Sequence, residues 1–186
     1  MIPAGGREHA GTAWDLSESW LGRRWHGGEG MSESSIERDG PEVIGIDHIY
    51  IAVSDLRVAE AFYDRALLQA LGFRKNTFEI GGDPHIQYFN RHFGYVLRPA
   101  RVPGRHEPYS PGLHHFCLRV ETRKEVEDVA ARLRSLGIDA TEVKLYPEYA
   151  PDYAATFFED PDGVRLEITN YRQERRDRHD HWFDAN

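Results

Sequence analysis

The sequence predicts an α+β protein built from two βαβββ modules, and two features of its 186 residues carry that expectation. First, His114 to Val120 (HHFCLRV) repeats the pattern of Asp47 to Val53 (DHIYIAV), and each run leads into an amphipathic helix that stops at a glycine. Second, further anchors recur in the same order. Leu71-Gly72-Phe73 matches Leu136-Gly137-Ile138, and Gly94-Tyr95-Val96-Leu97 matches Gly163-Val164-Arg165-Leu166. Copies roughly 65 to 70 residues apart are long for a solenoid repeat and suit a paired fold.

The first module spans 43–103. Ile44 to Val53 is apolar, β-branched and bounded by Gly and Ser-Asp, as a strand should be. Ser54 is placed to cap a helix running to about Leu71, in which Leu56, Ala59, Phe62, Tyr63, Leu67 and Ala70 recur at helical spacing. Gly72 ends it. Short β-like runs follow at Arg74–Ile80, His85–Asn90 and Tyr95–Arg98. In the second module, 111–171, Thr122 and Glu125 form a capping box, a hydroxyl and a carboxylate satisfying each other's end of a helix start. That helix carries Val126, Val129, Leu133 and Leu136 on its apolar side.

The flanks read differently. Residues 1–42 form an extension rich in Gly, Ser, Arg and Glu with Trp14, Trp20 and Trp25 scattered through it, and Met31 is an alternative start. Residues 172–186 are a charged tail (RQERRDRHDH over 172–181), a solvated run, with metal binding by His179 and His181 a remote option.

Composition narrows the function classes. Hydrophobic residues at 40% and charged residues at 29% are an ordinary globular mixture. With 23 Lys+Arg against 31 Asp+Glu the formal charge is -8, which argues against a protein that grips a nucleic-acid backbone. No apolar run approaches the roughly 20 residues that span a bilayer, and the N-terminus lacks the apolar core of a secretory signal. Cys117 is the only cysteine, so no internal disulfide can form and a reducing cytoplasm is the expected setting.

Side-chain alternation then locates the chemistry. In the first strand Ile49, Ile51 and Val53 share the face that packs on the helix, leaving His48, Tyr50 and Ala52 opposite. In the repeat Phe116, Leu118 and Val120 take the helix side, leaving His115, Cys117 and Arg119. In the last strand Val164, Leu166 and Ile168 pack, so Arg165, Glu167 and Thr169 face away. Three metal-competent side chains, His48, His115 and Glu167, thus share the non-helix face, two of them at equivalent positions. Singly, a strand histidine is more often a hydrogen-bonded cavity residue and a glutamate a salt-bridge partner. Together, two imidazoles and a carboxylate hold a catalytic divalent ion while leaving coordination positions free for substrate oxygens. Fe, Mn, Ni, Co and Zn are all compatible with the set, and its net positive character favours a developing enolate or alkoxide.

DHIYIAV followed by a helix, HHFCLRV and FFEDPDGVRLEI resemble the hallmarks of the vicinal-oxygen-chelate superfamily: glyoxalases, bleomycin-resistance proteins and ring-cleaving dioxygenases. The resemblance covers about Val43 to Tyr171, and YPEYAPDYAATFFEDPDGVRLE looks like a bacterial glyoxalase-like subgroup. It implies paired modules whose sheets curl around a metal cavity, with His48, His115 and Glu167 as the usual ligands. It also implies a small substrate chelated through vicinal oxygens, in a lyase, isomerase or dioxygenase, with a homodimer as one way to pair the modules. The alternative is a non-catalytic, bleomycin-resistance-like binder, against which the intact His/His/Glu set counts.

Two departures stand out. Thiol-adduct glyoxalases usually add a glutamate ligand on the last strand of the first module, where the repeat alignment puts Arg98, a residue suited to binding an anionic substrate group. Ring-cleaving dioxygenases usually have a tyrosine where this chain has Phe157, and Tyr149 or Tyr153 are placed to substitute as acid or hydrogen-bond donor. Among the remaining candidates, His114 should point to the opposite face from His115. His85 and Tyr88 read as ordinary sheet residues near the cavity, and Cys117 as a small buried thiol. Asp160-Pro161-Asp162-Gly163 reads as a turn whose carboxylates need no catalytic role.

Overall fold

The structure, a computed structural model, describes residues 41–181. The extension, its Met31 alternative start and the last residues of the tail lie outside the described residues. The described residues from Val43 onward form one unit that holds both modules.

The first module contains β1 (His48–Val53), α1 (Leu56–Tyr63) continuing as a π-helical segment (Asp64–Ala70), β2 (Arg74–Ile80), β3 (Asp83–Phe89) and β4 (Gly94–Pro99). The second contains β5 (Phe116–Val120), α2 (Arg123–Ser135), β6 (Lys144–Leu145), β7 (Ala154–Glu159) and β8 (Arg165–Asn170), followed by α3 (Gln173–Asp180). Each module forms its own four-stranded mixed sheet, ordered β1-β4-β3-β2 and β5-β8-β7-β6. The duplicated α+β architecture expected from the repeat is the one observed.

Local differences from the expected boundaries have physical causes. β1 begins at His48 rather than Ile44, because Val43, Ile44 and Ile46 are exposed and have no ladder partner within the described chain. Asp55, not Ser54, caps α1: its carboxylate accepts from the backbone N–H groups of Arg57 and Val58. The Ser54 N–H instead donates to Asp162 Oδ2, 2.7 Å away in the second module. Gly72 (φ 70°) and Gly137 (φ 75°) end the twin helices in left-handed geometry. The tail, expected as a solvated charge run, is helical over Gln173–Asp180 with no buried residue.

The capping box at Thr122 is complete, with Glu125 N–H on the Thr122 hydroxyl and the Thr122 N–H on the Glu125 carboxylate. Thr122→Ala should lower stability by about 1 kcal/mol, measurable by urea unfolding.

One apolar core serves both modules. Ile51, Val53, Phe62, Tyr95 and Leu97 from the first pack in the same cluster as Leu118, Leu133, Phe158, Leu166 and Ile168 from the second. The helix ends also satisfy each other reciprocally: Arg65 donates to Leu136 O at 3.1 Å and Arg132 to Gln69 O at 2.8 Å. At the centre, the Tyr63 hydroxyl bridges Tyr95 and Asp160, each at 2.8 Å. Because the helix-facing sides of both sheets share this core, their opposite faces look outward from a single chain.

Candidate metal centre

The second sheet assembles two of the three expected ligands. β5 runs parallel to β8 with Cys117 opposite Glu167, so the pleat puts Glu167 beside the residue two before Cys117 along the same face. That residue is His115, whose Nε2 lies 3.1 Å from Glu167 Oε2. Glu167 is only 3% exposed, while the His115 side chain is 37% exposed. The other carboxylate oxygen, Oε1, accepts from the Tyr153 hydroxyl at 2.5 Å. Burial, followed by the Glu167 carboxylate, pushes the Tyr153 phenol well above its ordinary value, so it stands as a protonated donor.

His48 lies on the outward face of the first sheet with its side chain 51% exposed. Among the described residues, no three His, Cys, Asp or Glu side chains gather as a ligand group within one chain. The structure therefore brings His115 and Glu167 together and leaves His48 on the other sheet, as the outward-looking faces require.

The two histidines are nevertheless prepared alike. His48 Nδ1 is 2.7 Å from Asp47 Oδ2, and His115 Nδ1 is 2.7 Å from His114 Nδ1. In each module the preceding residue occupies Nδ1, and in His115 this leaves Nε2 as the atom beside Glu167 Oε2, the kind of contact that orients an imidazole ligand. This pairing was hidden at the sequence level, where strand alternation alone put His114 on the other face. Both residues precede β5, and there His115 keeps the face of Cys117 while the His114 ring turns back against it.

Strand register corrects the repeat alignment at Arg98. Ile49 pairs with Tyr95 as Phe116 pairs with Leu166, so the position equivalent to Glu167 is Val96. The turns explain the slip. Asn90 Oδ1 accepts from His92 and Phe93 N–H, Asp160 Oδ1 accepts from Asp162 and Val164 N–H, and the second turn is one residue longer. The glycine also stands one place earlier in the second turn, Gly163 lying before β8 and Gly94 opening β4, so matching glycine to glycine misplaced the strands by two. Arg98 still shares Val96's face, and its Nη2 donates to Asp83 Oδ2 at 2.9 Å.

The other candidates separate cleanly. Tyr149 is exposed, and its ring meets that of Tyr153 with centroids 5.4 Å apart. His85 sits on the non-helix face with its ring against Tyr50, whereas Tyr88 is in the core with its hydroxyl on Asp64 at 2.7 Å. Cys117, expected buried, is exposed. Phe157 carries the Arg165 guanidinium 4.4 Å above its ring. His179 pairs with the adjacent Asp180 at 3.0 Å.

Comparison with known proteins places this geometry in context. The sequence profile of the Glyoxalase/Bleomycin resistance protein/Dioxygenase superfamily matches residues 45–168. Uncharacterized protein YaeR of Escherichia coli (strain K12) is 30% identical over 128 residues, spanning 66% of this chain and 93% of that protein. Among solved structures, a glyoxylase/bleomycin resistance protein/dioxygenase domain from Frankia sp. EAN1pec superposes with a TM-score of 0.58 at 20% identity, over 70% of this chain and 100% of that one. A point mutant of the fosfomycin resistance protein FosX of Listeria monocytogenes, complexed with Mn(II) and 1S,2S-dihydroxypropylphosphonic acid, superposes with a TM-score of 0.54 at 16% identity, over 73% of this chain and 98% of that one. These two likenesses establish the fold.

Proposed function

The chain belongs to the glyoxalase/bleomycin resistance protein/dioxygenase superfamily, and from that premise we propose that it is a metal-dependent enzyme acting on a small substrate chelated through neighbouring oxygens. The observation that carries this reading is the His115–Glu167 contact at 3.1 Å, with a nearly inaccessible carboxylate held by Tyr153 and both candidate histidines fixed through Nδ1. A buried carboxylate beside an imidazole nitrogen is the donor set a divalent cation fits.

His48, His115 and Glu167 would hold the ion, which would supply the positive charge that stabilises an oxyanion developing on the substrate. Because His48 faces outward on a separate sheet, the full set forms between two copies: the first module of one chain with the second module of its partner. β1 and β5, the strands that carry or follow the histidines, are both edge strands with one side unpaired within the described chain. Exposed Val43, Ile44 and Ile46 lead into the β1 edge and supply apolar surface for such a contact. A pairing of this kind is isologous and creates two sites per dimer.

Tyr153 would hold Glu167 in place for ligation, and as a protonated phenol it would be a hydroxyl donor beside the substrate. Arg98 orients an anionic group of that substrate. Proton transfer, ring cleavage and group addition all use such an oxyanion, so the reading commits to the site and to vicinal-oxygen chelation.

Elemental analysis of untagged protein, purified without chelators, tests the reading. Bound or bindable Mn, Fe, Co, Ni or Zn in the wild type, lost in His48→Ala, is the expected result. Wild-type protein that binds none of them would point to a non-catalytic binder. Tyr153→Phe should weaken metal affinity by about 10- to 100-fold, as removal of a hydrogen bond that orients a ligand does, read by competition with a chromophoric chelator.

A further inference from the structure

The outward face of the first sheet forms a regular grid. His48 lies beside Gly94 and Phe89, Tyr50 beside Val96 and Gln87, and Ala52 beside Arg98. The same register carried one residue further sets His85 beside Arg98, and Phe78 pairs with His85. Successive rows are two strand residues apart, about 7 Å.

Two features run across this grid. The first is a continuous line of rings. His48 meets Tyr50 at 5.4 Å, Tyr50 meets His85 at 5.8 Å, and His85 stacks on Phe78 at 5.1 Å with an interplanar angle of 11°. Within that line Tyr50 is 42% exposed, so its ring is open to a further partner. Beside it Gly94 has no side chain, and the Gln87 amide lies over it, 2.9 Å from where a Cβ would stand, so a polar amide lines the trough next to His48. Val96 is small where the second sheet carries Glu167.

The second feature is a surplus of positive charge. Arg98 and Arg101 both donate to the same oxygen, Asp83 Oδ2, each at 2.9 Å. Two guanidinium groups on one carboxylate leave a net positive charge beside the rings. Asp83 also holds the ring line, because its carbonyl lies 2.8 Å from His85 Nδ1. One residue thus fixes both the cationic end and the aromatic line.

We propose that the substrate of this chain is a small aromatic monoanion, its ring against Tyr50 and its carboxylate on the Arg98–Arg101 pair. This rests on reading His48 as a metal ligand at the far end of the same trough. The His48 and Arg98 rows are two steps apart, about 13 Å along the strand. An imidazole with its ion and a guanidinium reaching inward leave room for one ring with a short arm. An unneutralised guanidinium favours an anion over a polyol, and an exposed ring at the centre favours a flat partner over a saturated one.

The test uses metal-free, full-length protein and three probes, each titrated by NMR on the Arg98 Nε–H and Tyr50 ring signals. Benzoate is flat and anionic, cyclohexanecarboxylate is anionic but not flat, and benzamide is flat but neutral. Benzoate should bind about tenfold more tightly than either of the others. Arg98→Gln should weaken benzoate about tenfold, and Arg101→Gln, at an exposed loop position that leaves the fold untouched, should weaken it in the same direction. Tyr50→Leu should erase the preference over cyclohexanecarboxylate. Equal binding of the three probes, no binding of benzoate, or benzoate affinity unchanged in both arginine variants would overturn the proposal. Because no metal is present, each of these failures leaves the metal reading standing. Conversely, tight benzoate binding in a chain that takes up no divalent ion would sink the metal reading alone.

Discussion

Mixing His48→Ala chains with Glu167→Gln chains, each deficient in metal by itself, should restore metal to about one quarter of the wild-type sites after subunit exchange. The arithmetic follows from a site shared between copies. With random assortment about half of the dimers carry one chain of each kind. In each of these, one site combines both lesions and the other combines none, because it takes the first module from the Glu167→Gln chain and the second from the His48→Ala chain. Metal analysis of the mixture, after partial unfolding and dilution to exchange subunits, gives the readout. If the mixture stays as empty as its components, the ligands do not meet across a dimer. The observations behind this expectation are the outward faces of the two sheets and the separation of His48 from the His115–Glu167 pair.

Asp160→Ala should be strongly destabilising. Asp160 accepts from the N–H groups of Asp162 and Val164 through Oδ1 and from the Tyr63 hydroxyl through Oδ2. Its removal leaves the buried Val164 N–H without its acceptor and the Tyr63 hydroxyl with Tyr95 alone, a loss of about 3 kcal/mol measurable by denaturant unfolding. Burial raises the Asp160 carboxyl above its ordinary value despite those three donors. A raised carboxyl binds its proton more tightly in the folded chain than in the unfolded one. Its contribution to stability is therefore complete below the ordinary carboxyl range and lost as pH rises through the raised value. Asp160→Asn keeps an acceptor for both N–H groups and cannot ionise, so this part of the pH dependence should disappear. An unchanged pH profile in Asp160→Asn would assign the slope to other groups.

The sequence made the architecture legible because duplication is written twice. Two helix stops at Gly72 and Gly137, a full capping box at Thr122 and alternating apolar residues in β1, β5 and β8 each specify an element locally. The pairing of His115 with Glu167 was legible for the same reason, since both lie on one face of parallel neighbours. What escaped depends on tertiary detail. A turn one residue longer, with its glycine one place earlier, displaced Arg98 by two from its assumed equivalence with Glu167. The extended segment before β5 let His114 turn toward His115, and no strand rule covers that segment. Asp160, in a turn of ordinary appearance, became a buried link because Tyr63 of the other module meets it. Separation of His48 from its partners could not be read from one chain's pattern, since both modes of module pairing use identical residues.

The common core has a consequence for how activity would scale in the cell. The two modules of each chain share one hydrophobic interior, so, if the site is shared between copies, a solitary copy would remain folded yet lack an intact site. Active centres would then accumulate with roughly the square of the chain's abundance when it is scarce and in direct proportion once association saturates. Expression level alone would set a threshold for turnover, and dilution would silence the protein reversibly without unfolding it.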